Sequence, residues 1–243
     1  MRSALQPAYI LHSRPYRDSS LILEVFTAEQ GRLSLVARGA RRRARGGSHA
    51  ALLQPFVPLL LSYVGRSEMK TLTQVEAAGR GPALGGERLF SGMYLNELMV
   101  RLLHRHDPHP GLFAAYGGAL QALSESEQLD PVLRRFEWRL LEDLGYSFPL
   151  VADGQNGEAL RGDAWYGFQP EVGLVELAAA NEPGRPRYLG EDLLCLSRGE
   201  FDGPARQAAK RLMREALGTY LGDAPLRSRE LFRVKQRSSG ESV

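Results

Sequence analysis

Along the first eighty residues, apolar and polar positions alternate with a period of two. Leu21, Leu23 and Val25 recur at every second place, as do Leu33 and Leu35, the pattern of a strand with one buried face. Short aliphatic or β-branched runs fall at Ala8–Ser13, Ser20–Thr27, Arg32–Arg38, Phe56–Val64 and Met69–Glu76, with turn residues between them. Gly31 ends the turn that begins at Ala28, where a bulged hairpin needs a left-handed residue. Five short strands this close together predict a small closed barrel of the OB type over residues 1–80. An SH3-like barrel has the same strand count, and pattern does not separate the two.

After Ala78 the period changes. Gly79, Gly81, Pro82, Gly85 and Gly86 form a breaker cluster, read as a boundary. It is no dinucleotide loop, because no strand–helix–strand context surrounds it. Helical spacing then predicts helices at about Glu87–His104 and Gly111–Ser124. A third opens with Asp130 as N-cap and Pro131 in the first helical position and stops at Gly145. A glycine-rich stretch, Val151–Leu177, carries Trp165, Tyr166 and Phe168 and reads as an irregular insert of loops and short strands at about residues 150–178. A long helix near Gly203–Leu221 and a short one near Ser228–Val234 complete the chain. The predicted fold is α+β: an all-β OB-fold barrel, then a mainly α-helical domain over residues 81–243.

Composition narrows the class. With 43% hydrophobic and 24% charged residues the chain is globular, not disordered or fibrous. A single cysteine, Cys195, excludes an internal disulfide and any multi-thiolate zinc site. His104, His106 and His109 lack zinc-ligand spacing and read as a polar helix end, so no metal and no cofactor is expected. The longest apolar run, near residues 55–64, is far short of the ~20 residues that span a bilayer, and Met1–His12 holds no signal-peptide core. The expectation is a soluble chain without a membrane partner, working in the cytoplasm.

The net charge of +3 hides an asymmetry. Residues 1–80 carry 12 Lys and Arg against 5 Asp and Glu, and the rest of the chain carries 19 against 23. A basic half favours a polyanionic partner. The excess concentrates in Arg38, Arg41, Arg42, Arg43 and Arg45, spaced by glycine and alanine with no acid between them. Such a loop at the end of the third strand can grip phosphates through paired guanidinium N–H groups. OB barrels add aromatic platforms to a basic groove. Tyr9, Phe26, Phe56 and Tyr63 read as core, whereas Tyr16, flanked by Arg14 and Arg17, reads as a base-stacking residue in a loop. No nucleophile elbow, metalloprotease helix or Walker loop is present, and Glu137, Glu142 and Asp143 read as surface charges on one helix. No catalytic residue is assigned. Three readings stay open from pattern alone: a DNA-binding protein, an OB-type RNA-binding module, or a scaffold that bridges proteins.

The chain also resembles the RecO family of bacterial recombination mediators. The matching stretches are Ile10–Tyr16, Leu23–Thr27, Val36–Arg41, Gln54–Leu59, Lys70–Leu72, Tyr94–Leu98, Leu133–Glu137, Leu144–Tyr146 and Ser228–Phe232, in family order. The resemblance implies binding of single- and double-stranded DNA, annealing of complementary strands, and help in loading RecA on strands coated by single-stranded-DNA-binding protein. It implies RecR and the acidic, apolar-ended C-terminal tail of that coating protein as partners. Many members carry a four-cysteine zinc motif in the insert; here Val151–Leu177 has no cysteine, so the chain looks like a zinc-free member. For the tail, a cation beside an apolar pocket is needed. Arg134 and Arg135, early in the third helix, with Leu98 and Leu102 of the first helix as walls, are the expected receptor.

Overall fold

The computed structural model describes residues 3–42, 51–178 and 186–231. Five strands come first: β1 (Gln6–Tyr16), β2 (Ser20–Thr27), β3 (Gly31–Ala37), β4 (Leu59–Val64) and β5 (Met69–Ala77). They close into a barrel in the order β1-β2-β3-β5-β4, with β3 and β5 parallel and the other pairs antiparallel. That Greek-key closure is the OB arrangement, and it settles the choice left open by strand count. Inward-facing Ile10, Leu23, Val25, Leu33, Leu35, Leu59 and Leu61 fill the interior, each contributing about 1.5–3 kcal/mol by leaving water.

Two strands differ by more than one residue from the pattern-based limits, for physical reasons. β1 runs on through Arg14 and Pro15 to Tyr16, because the hairpin pairs Pro15 with Leu21 and Tyr16 with Ser20. β4 begins at Leu59, not Phe56, because Phe56 is left-handed (φ 71°) and cannot belong to a strand. The Phe56 ring lies over Gly92, where a Cβ would stand 2.9 Å from it. Gly31 is left-handed as the hairpin requires (φ 62°), and it also lies so close to the Asp107 carbonyl that no side chain fits.

Helices α1 (Glu87–Leu102) and α2 (Pro110–Glu125) follow. A buried polar relay ties them to the barrel. Ile10 pairs with Val25 and His12 with Glu24, so Leu11 is an extra, bulged residue. Asn96 Nδ2 of α1 donates to the Leu11 carbonyl at 2.9 Å, and the Tyr116 hydroxyl of α2 donates to Asn96 Oδ1 at 2.6 Å. Around this relay, Tyr9 of β1 packs edge-on against Tyr116, and Phe113 tilts against both Tyr9 and Phe26.

The residue after Asn96 makes a second tie. Glu97 accepts hydrogen bonds from the Arg227 N–H, the Ser228 N–H and the Ser228 hydroxyl, so it caps the helical residues 227–231. By its contacts the chain divides into two units: Met1–Glu125 with Pro225–Val243, and Ser126–Ala224. The Glu97 cap lies within the first.

The second unit holds α3 (Leu129–Asp143), a three-stranded sheet of β6 (Trp165–Gln169), β7 (Gly173–Glu176) and β8 (Tyr188–Leu189), and helices α4 (Gly190–Ser197) and α5 (Ala205–Leu221). The cap of α3 differs from expectation. Gln128 occupies the N-cap, and Asp130 lies in the first turn, where its carboxylate pairs with Arg206 of α5 at 2.7 Å. An ion pair between helices thus takes the side chain that sequence assigns to capping. Of the predicted helix near Ser228–Val234, residues beyond 231 lie outside the described residues.

Burial works against the Glu97 charge, but the Ser228 and Arg227 donors outweigh it, so the carboxyl titrates below the ordinary 4.5. A depressed carboxyl stabilises the fold above its unfolded pKa, and that contribution disappears as pH falls through the folded value. Amide protection at residues 226–231, measured against the intrinsic exchange rate at each pH, is therefore expected to be high at neutral pH and to fall on acidification below about pH 4.5. In Glu97→Ala protection should be low at every pH. Full protection in that variant would contradict the cap.

Candidate nucleic-acid interface

Because Leu23, Val25, Leu33 and Leu35 point into the barrel, Glu24, Arg32, Ser34 and Val36 lie on its outer face. At one end of this face a depression of about 640 Å³ opens, lined by Tyr16, Arg17, Ser20, Val36, Arg38, Arg42, Met69 and Thr71. A second, of about 350 Å³, shares Arg38, Gly39 and Arg42 and reaches Leu53, Leu72 and Val75. The Arg38–Arg42 turn is the ridge between them. Two hydrogen bonds set it: Arg41 N–H to the Ser19 carbonyl and Arg42 N–H to the Gly39 carbonyl, both at 2.9 Å. The basic turn is thereby fixed to the β1–β2 turn, where Arg17 is left-handed (φ 50°) and its guanidinium stands 5.1 Å from the Tyr16 ring centre.

The electrostatics of the face are lopsided. Glu24 accepts from Ser34 at 2.6 Å and pairs with Arg32 at 3.0 Å and Arg105 at 3.3 Å, while Arg105 also pairs with Glu68. Carboxylates and cations at that end are matched. At the other end, Arg14, Arg17, Arg38, Arg41 and Arg42 are exposed and have no carboxylate partner among the described residues. Asp18, in the β1–β2 turn, makes no ion pair with them. Arg17, Arg38 and Arg42 line these depressions, with Arg41 on the same turn and Arg14 exposed on β1; guanidinium groups so placed can bind successive phosphates, and Tyr16 offers a partly open ring beside them.

Of the residues expected from sequence to bind DNA, Tyr16, Arg38 and Arg42 line one depression, with Arg41 on the same turn and Arg14 exposed near the end of β1. Tyr16 is the last residue of β1 and not a loop residue. Arg43 and Arg45 lie outside the described residues. Arg17, Met69 and Thr71 were not assigned from sequence. Arg17 had a signal, as the neighbour of Tyr16; Met69 and Thr71 reach the groove only through the parallel pairing of β5 with β3, which no local pattern announces.

The residues expected to receive the tail are placed differently. Leu98 and Leu102, in the first unit, are enclosed and offer no open wall. In the second unit Arg134 is buried, not at a rim: its guanidinium pairs with Glu137 at 2.8 Å. Glu137 is 0% exposed, which corrects its reading as a surface charge; a buried carboxylate at this position needs the cation three residues earlier. Arg135 is exposed, with its guanidinium 6.0 Å from the Phe201 ring centre.

In the insert a carboxylate holds the turns together. Asp153 accepts from the N–H groups of Gln155 at 2.7 Å, Asn156 at 3.2 Å and Glu176 at 2.6 Å, so one side chain joins the loop after α3 to β7. Burial opposes its charge, yet these three donors keep its pKa below the ordinary value. Among the described residues no group of three or more His, Cys, Asp and Glu is arranged to hold a metal ion, and no helix is long and apolar enough to cross a membrane.

Comparison with known proteins adds the lineage. The family model described as Recombination protein O N terminal matches residues 1–80, and that described as Recombination protein O C terminal matches residues 84–230. The chain is similar to the DNA repair protein RecO of Pseudomonas paraeruginosa, 47% identical over 237 residues and 97% of each chain. The DNA repair protein RecO of Nitrosococcus oceani is 45% identical over 238 residues, 98% of this chain and 96% of the other. That of Alkalilimnicola ehrlichii is 47% identical over 241 residues, 98% and 94% of the two chains.

If Asp153 is the tie of the insert, metal is not. Washing with a chelator is expected to leave thermal unfolding unchanged, and metal analysis should find far less than about one zinc per chain. Asp153→Ala should cost about 1–3 kcal/mol by stripping three backbone N–H groups of their buried acceptor. Stoichiometric zinc, or a chelator-sensitive midpoint, would contradict this.

Proposed function

The chain belongs to the RecO family of DNA repair proteins, and on that premise we propose that it binds DNA on the outer face of its barrel and anneals complementary single strands. In this reading it also helps place RecA on strands coated by single-stranded-DNA-binding protein. The observation that carries the reading is the group Arg17, Arg38 and Arg42, lining one groove beside Tyr16 with Arg41 on the same turn, all without carboxylate partners among the described residues.

The chemistry is non-covalent. Guanidinium forks neutralise phosphates and release the counterions condensed on the strand. Two strands held so repel each other less, and pairing proceeds without nucleotide hydrolysis or a catalytic residue. A base laid on Tyr16 adds about 1–3 kcal/mol without regard to sequence, which suits a protein that must act on any damaged site. Phosphate contacts serve single and double strands alike. Action at the nucleoid in the cytoplasm, with RecR as a partner, completes the reading.

For the tail of the coating protein, support comes from the second unit. A depression of about 580 Å³ is lined by Trp138, Phe148, Leu150, Leu196 and Phe201, with Glu142 also on its wall beside Arg139, and Arg135 stands over Phe201. An apolar floor with a cation at its edge suits a peptide with carboxylates and an apolar end. Arg135 is the arginine of the expected pair that a peptide can reach.

Each phosphate met on a single strand contributes about 0.7 to the slope of log K against log salt. The double variant Arg38→Ala/Arg42→Ala is therefore expected to flatten the slope by about 1.4 and to weaken binding at low salt. Fluorescence anisotropy of a labelled single strand across a salt series measures it. An unchanged slope and affinity would place the DNA elsewhere.

A further inference from the structure

Beside the groove, but outside its lining, lies a further basic pair on β5 and the α1–α2 connector. Lys70 stands between Met69 and Thr71, which line the groove, and pairs with the inward-facing Leu35, so it leaves β5 on the other side. Its ammonium donates to His106 Nε2 at 3.3 Å, across to the connector between α1 and α2. Two groups that can both be cationic thus touch. Lys70 makes one further contact, to the Ser67 carbonyl at 3.4 Å, and has no carboxylate partner among the described residues.

The position of His106 is fixed by backbone. Its N–H donates to the Arg32 carbonyl at 2.9 Å, and its φ of 61° is left-handed, an uncommon state for a side-chain-bearing residue that the surrounding contacts must hold. The groups facing it are Lys70 of β5, Glu68 of the β4–β5 turn and its neighbour Arg105. Arg105 is already engaged by Glu24 and Glu68, and Asp107 turns to His109 at 3.4 Å. Burial, Lys70 and Arg105 together push the imidazole below its ordinary 6.5, with Glu68 opposing.

We propose that Lys70 and His106 form a phosphate contact that DNA engages with uptake of a proton, carrying the nucleic-acid path from the barrel onto the α1–α2 connector. The proposal rests on the DNA-binding reading above. Neutral His106 accepts the Lys70 N–H. Protonated His106 and Lys70 repel, unless an anion lies between them and receives a hydrogen bond from each. A phosphodiester supplies that anion and raises the imidazole pKa, so by linkage binding strengthens as the solution becomes more acidic.

The test is oligothymidylate affinity at constant salt between about pH 8 and about pH 5.5, for the natural sequence, His106→Gln, Lys70→Gln and Arg38→Ala/Arg42→Ala. Gln at 106 still accepts from Lys70 but takes up no proton. The natural sequence should bind up to about tenfold tighter at the acid end for each unit that DNA raises the imidazole pKa. His106→Gln and Lys70→Gln should lose most of that dependence, and the double arginine variant should bind weakly yet keep it. Equal pH dependence in His106→Gln would overturn the proposal and leave the DNA-binding reading standing. No binding by the natural sequence at any pH would overturn both. In NMR titrations of the His106 ring, oligonucleotide should raise its pKa and inorganic phosphate at matched phosphate concentration should not. A shift with inorganic phosphate alone would make this a free-anion site and overturn the DNA assignment.

Discussion

Glu24, midway along β2, is the carboxylate on which the charge of the barrel turns. It points outward because its neighbours Leu23 and Val25 point in, and it draws Ser34, Arg32 and Arg105 into one network. Glu68 is drawn in as well, through Arg105. Acid is thereby collected at one end of the outer face and matched there. The other end keeps Arg14, Arg17, Arg38, Arg41 and Arg42 without carboxylate partners among the described residues. Cations that exposed repel one another when crowded together, and a polyanion laid across them would relieve that repulsion.

The same network explains why helices belong to the barrel unit. Arg105 comes from the connector between α1 and α2, and Arg32 Nε donates to the Leu103 carbonyl at its start. Farther along, Asn96 meets the bulged Leu11 and Tyr116, and Glu97 caps residues 227–231. The stretch Tyr94–Leu98 and the stretch from Ser228, far apart in sequence, are two halves of one contact. An exposed ion pair is worth little, but the Asn96 relay is buried, and losing it would leave the Leu11 carbonyl without its amide donor, at about 1–3 kcal/mol.

Strands and helices were legible where periodicity was strong. β2 begins and ends where alternation places it, and α1 starts at Glu87 as its apolar stripe predicts. Sequence misplaced what tertiary partners decide. Asp130 reads as a cap and is an interhelical ion pair; Glu137 reads as a surface charge and Arg134 as a receptor cation, and the two are a buried pair. α4 was missed because its eight residues, Gly190–Ser197, are too few to show a helical period. Of the candidate site, the arginines were legible from composition alone. Met69, Thr71 and Lys70 were not, because β5 is brought beside β3 by a crossover that only the closed barrel reveals.

Hydrogen exchange of the full chain, free and saturated with a single-stranded oligonucleotide, addresses the central claim most directly. Binding on the outer face of the barrel predicts slower exchange at residues 17–20, 36–42 and 67–71, which border the groove. Protection confined to residues 126–224, with those three segments unchanged, would contradict it.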